Sequence, residues 1–218
     1  MKKIIFILFL APSYFAFAGS DDYANQIIVS AATLDLKVSE IKVAAKNALK
    51  TYRWQVDKES DTSLTANLRG KGEFIVEVNF QSPDSITIKH LNEDYDRENY
   101  RYYKWLLNIR SKTMLNLTDC KNREFNRDLA NTDQAIALRR NVVYAFYKYN
   151  WIIKSISESK VIAALPARGQ LEADISPDGS VIFKRRDELE NEYTDPLRDG
   201  YVKRVRSVFN NQQRRCAK

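Results

Sequence analysis

Ala48-Leu49-Lys50-Thr51-Tyr52-Arg53-Trp54-Gln55-Val56 returns 97 residues later as Ala145-Phe146-Tyr147-Lys148-Tyr149-Asn150-Trp151-Ile152-Ile153, with Tyr and Trp kept and apolar positions preserved. Self-similarity at a fixed period marks a repeated structural unit. At the same offset Leu64, Ala66 and Leu68 meet Val161, Ala163 and Leu165. Allowing one gap, Lys71-Gly72 meets Arg168-Gly169, and Phe74, Val76 and Val78 meet Leu171, Ala173 and Ile175. Ser82-Pro83-Asp84 then corresponds to Ser176-Pro177-Asp178, and Ile86 and Ile88 to Val181 and Phe183. Tyr102, Lys104, Leu106 and Ile109 sit on Tyr201, Lys203, Val205 and Val208. Matches that keep their order over most of each half define a tandem duplication.

Each copy reads alike. Ile41, Ala44, Ala45, Ala48, Leu49 and Tyr52 fall at helical spacing, as do Leu138, Val142, Ala145, Phe146 and Tyr149. Four alternating stretches follow, in the first copy near 54–59, 63–69, 73–81 and 85–91. Phe74, Val76, Val78 and Phe80 alternate with Glu73, Glu77 and Asn79, the period of a half-buried strand. Turn residues separate the stretches: Ser60-Asp61, Gly70-Lys71-Gly72, Pro83-Asp84 and, in the second copy, Pro177-Asp178-Gly179. Turns this short join antiparallel neighbours. A closing helix carries Tyr102, Leu106, Ile109 and Leu117, or Tyr201, Val205, Val208 and Phe209. The fold class is therefore α+β, a helix, a four-stranded antiparallel meander and a helix, written twice. Each half is expected to close its own interior, with both helices on one sheet face. A strand from Gln26 to Val29 would give an element order similar, in topology alone, to the TATA-box-binding-protein-like fold.

The first residues read as a leader. Lys2 and Lys3 precede the apolar run Ile4–Leu10, and Ala16-Phe17-Ala18 supplies small residues at the two positions that a signal peptidase needs. Pro12, Ser13 and Tyr14 break the apolar stretch below the length of a membrane span, and no Cys near the cleavage point offers a lipid anchor. The expected organisation is a signal peptide at 1–18, a first repeat at 19–120 and a second at 121–218. The compartment is periplasmic, or else secreted. Two cysteines in an oxidising compartment permit one intrachain bridge, Cys120 to Cys216, with free thiols as the alternative.

The spacing of Tyr52-Arg53-Trp54-Gln55-Val56, Leu64-Thr65-Ala66-Asn67-Leu68 and Tyr103-Lys104-Trp105-Leu106-Leu107-Asn108-Ile109 resembles small bacterial envelope proteins and lipoproteins of unassigned function. These are built from single or repeated helix–sheet–helix domains. The second copy departs from that pattern, with Val202-Lys203-Arg204 in place of Tyr103-Lys104-Trp105. The resemblance implies a fold and an envelope location, and no catalytic residue.

Side chains that could carry chemistry have plainer readings. His90 is the sole histidine and lies in phase with Ile86 and Ile88, a strand-end structural position whose counterpart is Arg185. Glu93, Asp94 and Asp96 lack the Gly and terminal Glu of a calcium loop. The carboxylate pairs Asp57 with Glu59 and Glu188 with Glu190 show no local device to drive their pKa values apart. Asn116-Leu117-Thr118 matches a glycosylation triplet by accident on a helix. Trp54, Trp151, Tyr52 and Tyr149 read as packing residues at equivalent helix–strand junctions rather than as a ligand-stacking set. No catalytic, cofactor or metal residue is expected.

Charge is distributed unevenly. Arg198, Lys203, Arg204, Arg206, Arg214, Arg215 and Lys218 stand against Asp199 alone, a net +6 of the chain's +7. A concentrated basic face attracts anionic surfaces, whereas cations in a helix's last turns also suit its dipole. The partner-binding candidates are Lys203, Arg204, Arg206, Arg214 and Arg215. The expected partner is an envelope protein or an anionic surface of lipid head groups or lipopolysaccharide. Nucleic acid ranks last, since export removes the protein from it. The sequence reads as a non-enzymatic periplasmic interaction module. A secreted host-interaction factor and a hydrolase with carboxylates in an inter-repeat cleft are the alternatives.

Overall fold

The computed structural model describes residues 26–27, 33–68, 74–82, 85–91, 100–122, 133–165, 169–186 and 196–217. The expected leader, the Glu93, Asp94 and Asp96 trio, the Glu188 and Glu190 pair, and the turns at 70–72 and 83–84 lie outside them.

In the first unit, α1 (Val38–Thr51) buries Ile41, Ala44, Ala45, Ala48 and Leu49 along one face. Glu40 opens it by accepting the Lys37 backbone N–H at 2.9 Å, and Lys50 in the last turn suits the helix dipole. The strands β2 (Trp54–Glu59), β3 (Ser63–Leu68), β4 (Phe74–Ser82) and β5 (Ser85–His90) follow, and then α2 (Tyr100–Thr118). The strand expected ahead of the first helix is present as β1 (Gln26–Ile27), and the sheet runs β1-β5-β4-β3-β2.

The second unit opens on α3 (Gln134–Tyr147), where Asp133 Oδ1 accepts the Ala135 N–H at 2.7 Å. It continues through β6 (Ile152–Ile156), β7 (Lys160–Leu165), β8 (Gly169–Ile175) and β9 (Val181–Arg186), ordered β6-β7-β8-β9, and closes with α4 (Pro196–Cys216). Every strand pairing in both sheets is antiparallel. Among the described residues no helix is long and apolar enough to cross a membrane.

Local details confirm the repeat. A register irregularity follows Val56 in the first unit and Ile153 in the second. Arg53 and Asn150, which link each opening helix to its first strand, both take positive φ, 64° and 59°. Trp54 meets Trp105 on α2 edge-on at 6.3 Å, and Trp151 meets Tyr201 on α4 edge-on at 6.0 Å. Both tryptophans are buried, as a packing role requires. The two tyrosines beside them are not: Tyr52 and Tyr149 are 38% and 37% exposed. Each is the last residue before the left-handed turn, where the chain leaves the helix and its side chain no longer faces the sheet.

The strand register corrects the alignment in one place. Ala66 pairs with Val76 and Leu64 with Val78, whereas Ala163 pairs with Leu171 and Val161 with Ala173. Val76 and Val78 therefore answer to Leu171 and Ala173, two residues away from the match that the apolar pattern suggests. The β3–β4 ladder closes at Leu68 and Phe74, but the β7–β8 ladder closes at Leu165 and Gly169, so the gap lies in this hairpin. A slip of two preserves which face each side chain occupies, so hydrophobic alternation cannot reveal it. In this register a cross-strand ion pair recurs on the outer faces: Glu77 with Lys89 at 2.8 Å, and Glu172 with Lys184 at 3.2 Å.

The halves do not close separate interiors. Buried side chains from both units form one continuous cluster, and α2 packs on α3. Helix α3 is buried at every position from Leu138 to Tyr147, so it is enclosed on all sides. Its Arg140 donates from Nε to the Leu34 carbonyl at 2.8 Å and from Nη2 to the Asp35 carbonyl at 2.7 Å. Arg139 Nε reaches the Thr33 carbonyl at 3.0 Å. On the facing helix, Arg110 is only 2% exposed, and burial depresses its pKa while the buried Tyr147 phenol opposes that fall. The ends of α2 and α4 meet at Cys120 and Cys216, whose sulfurs lie 2.06 Å apart, at disulfide distance.

Candidate functional site

Helix α4 divides its sequence between two faces. Val205, Phe209 and Gln212 are buried, with Val202 and Val208 packed partly against the core. About 100° per residue then places Lys203, Arg206, Ser207, Asn210, Asn211 and Arg214 on the opposite side. These six residues line an open groove of about 290 Å³ that, among the described residues, contains no acidic side chain. Three cations set among three neutral hydrogen-bonding groups give this face a positive potential, which is screened within a Debye length.

The five basic candidates separate. Lys203, Arg206 and Arg214 line the groove. Arg206 also donates from Nη2 to the Phe183 carbonyl of β9 at 3.3 Å, so it stands on the flank of α4 toward the second sheet. Arg204 lies off the groove, its guanidinium 5.9 Å from the Tyr201 ring centre. Arg215 is on the opposite flank, bound to Asp119 at 3.0 Å, and belongs to the seam between the units. Sequence reasoning missed Ser207, Asn210 and Asn211, and projecting the helix on its 3.6-residue period would have found them.

The Asp57 and Glu59 carboxylates are engaged structurally. Glu59 sits between Lys46 at 2.7 Å and Lys42 at 3.1 Å, and hydrogen bonds from Lys46 and then Lys42 hold its carboxyl below the usual range. Asp57 accepts from the Asn67 side-chain amide. His90 is half-buried at the end of β5 opposite Val76, and Arg185 holds the same place opposite Leu171. Asn116 donates to the Ala44 carbonyl at 3.4 Å, and Leu117 and Thr118 are buried. Among the described residues no group of three or more His, Cys, Asp or Glu is placed to hold a metal ion.

On the outer face of the second sheet, Glu172 is only 5% exposed. Lys160 lies 2.8 Å from it, Lys184 3.2 Å and Arg186 3.9 Å. Asp174 is held below its usual pKa, chiefly by the Lys184 hydrogen bond, with burial opposing. Protein-family models, curated proteins and solved structures give no match to this chain.

Proposed function

We propose that the protein is a non-enzymatic interaction module of the bacterial envelope, periplasmic or secreted, that engages an anionic partner through the outward stripe of α4. The α4 groove carries this reading: Lys203, Arg206 and Arg214 share it with Ser207, Asn210 and Asn211 and, among the described residues, with no acid. A dipole role accounts for Arg214 and Arg215 in the last turn. It does not account for Lys203 and Arg206, which lie two to three turns earlier. The envelope address rests on the leader pattern at residues 1–18, and a cysteine pair at disulfide distance suits an oxidising compartment. A packed seam built around Arg110, Arg139, Arg140 and Tyr147 favours a binding module over a hydrolase with carboxylates between the repeats.

The test titrates the chain with vesicles containing phosphatidylglycerol, with phosphatidylcholine vesicles, and with poly-glutamate at low and high salt. An anionic probe binds, weakens as salt rises, and loses about tenfold or more in the Lys203→Ser, Arg206→Ser, Arg214→Ser triple variant. Arg215→Ser leaves binding unchanged. Equal binding by the triple variant removes the proposal.

A further inference from the structure

We infer that the partner is an extended acidic segment of another protein, which lies along the α4 stripe and adds as a strand to the edge of β9. This rests on the reading of α4 as an anion-binding surface. Strand β9 is the last in its sheet, with β8 its one neighbour among the described residues. The corresponding strand of the first unit, β5, carries β1 on that same edge, with Gln26 against Thr87 and Ile27 against Ile86. In the corrected register, Val181 and Ile182 hold those two positions in β9. The fold thus already accommodates an added strand at a position where, among the described residues, the second copy has none.

Arg206 connects the groove to β9. Phe183 of β9 packs on Phe209 of α4 with ring centres 5.3 Å apart, and the Arg206 guanidinium reaches the Phe183 carbonyl at 3.3 Å. On the outer face of this sheet Lys160, Lys184 and Arg186 exceed Glu172 and Asp174 by one cation. A strand laid on β9 would set alternate side chains beside Ile182, which is 57% exposed, and beside Lys184 and Arg186. Acidic side chains complement the last two and the groove cations, while Ser207, Asn210 and Asn211 offer hydrogen bonds to peptide amides. A bilayer fits less well. The apolar face of α4 is directed into the core, and the stripe presents no apolar side chain for insertion.

The experiment compares three probes on the full chain: a short blocked peptide of alternating Glu and Val, the same peptide N-methylated at alternate amides, and phosphatidylglycerol vesicles. The unmodified peptide binds about tenfold or more tightly than the N-methylated one, and amides of Val181–Arg186 gain protection from hydrogen exchange. The Lys203→Ser, Arg206→Ser, Arg214→Ser variant loses both effects. Equal affinity for the two peptides, or unchanged β9 exchange, overturns strand addition while leaving anion binding in place. Binding to the vesicles without binding to either peptide does the same and assigns the site to lipid. If no probe binds, the function proposed above falls as well.

Discussion

Asp119 holds the Arg215 guanidinium at 3.0 Å, immediately before Cys120 in the chain and beside Cys216 in space. Gln212 donates to the same carboxylate at 3.4 Å. An ion pair, an amide and a cysteine pair therefore fasten the end of the first unit's closing helix to the end of the second's. The exposed ion pair adds little by itself, since such pairs contribute about 0–1 kcal/mol. The covalent link is the larger effect.

Cys120 and Cys216 are 96 residues apart, so bridging them closes nearly half of the chain into one loop. Restricting the unfolded state in this way stabilises by about 3–5 kcal/mol. The Cys120→Ser, Cys216→Ser double variant should lose that amount in urea unfolding, and reductant should destabilise the wild type but not the variant. A loss under about 1 kcal/mol means that the seam holds the units together without the bridge.

Arg53 occupies the left-handed region at φ 64°, where a side chain is disfavoured, and Asn150 does so at the equivalent site with a residue that tolerates it better. Arg53→Gly should raise stability by about 0.5–1 kcal/mol in urea unfolding, and Asn150→Gly by less. A fall in stability for Arg53→Gly would show that its exposed side chain makes a contact worth more than the strain.

Both units were legible because their apolar residues repeat with the periods of a helix and a strand, and because Trp54 and Trp151 mark the same junction. The two-residue slip between Val76 and Leu171 was not, since it leaves every apolar side chain on its own face. The shared core was hidden for another reason. Arg110, Arg139 and Arg140 have the composition of solvated helix faces, yet they are buried against the other unit. Arg139 and Arg140 donate to backbone carbonyls about 105 residues away, which no local pattern announces. The α4 stripe was half legible: charge marked its cations, but only helical phase separates Arg204 and Arg215 from the groove.

Tyr147 is fully enclosed, and burial pushes its phenol above the ordinary tyrosine pKa, while the Arg110 charge and the nearby Ile153 backbone pull it back in part. A group with a raised folded pKa keeps its proton in the native state after the unfolded chain has released it. Its contribution is complete below about pH 10 and is lost as pH rises from there toward the folded value. Stability should therefore fall above about pH 10, by at most about 1.4 kcal/mol per pH unit from this one proton. Tyr147→Phe should flatten that slope relative to wild type. Identical slopes would place the alkaline loss in other groups.

Arg140 joins α3 of the second unit to the segment that leads into α1 of the first, by hydrogen bonds to the Leu34 and Asp35 carbonyls. Its counterpart in the first copy is Val43, which is exposed, so this clamp belongs to the seam rather than to the repeated unit. Charged hydrogen bonds of this kind contribute about 1.5–3 kcal/mol, and removing the guanidinium leaves carbonyls without their donor. Arg140→Met, which keeps most of the apolar stem, should cost about 2–4 kcal/mol and release amides 33–36 to hydrogen exchange. Because Leu34 lies in the same buried cluster as Val142 and Phe146, the loosening should reach both halves. Unfolding should stay a single transition whether followed by Trp54 or by Trp151, each observed with the other two tryptophans changed to Phe. Two separate transitions in wild type would mean that the repeats are thermodynamically independent and that the common core is only a contact between two finished domains.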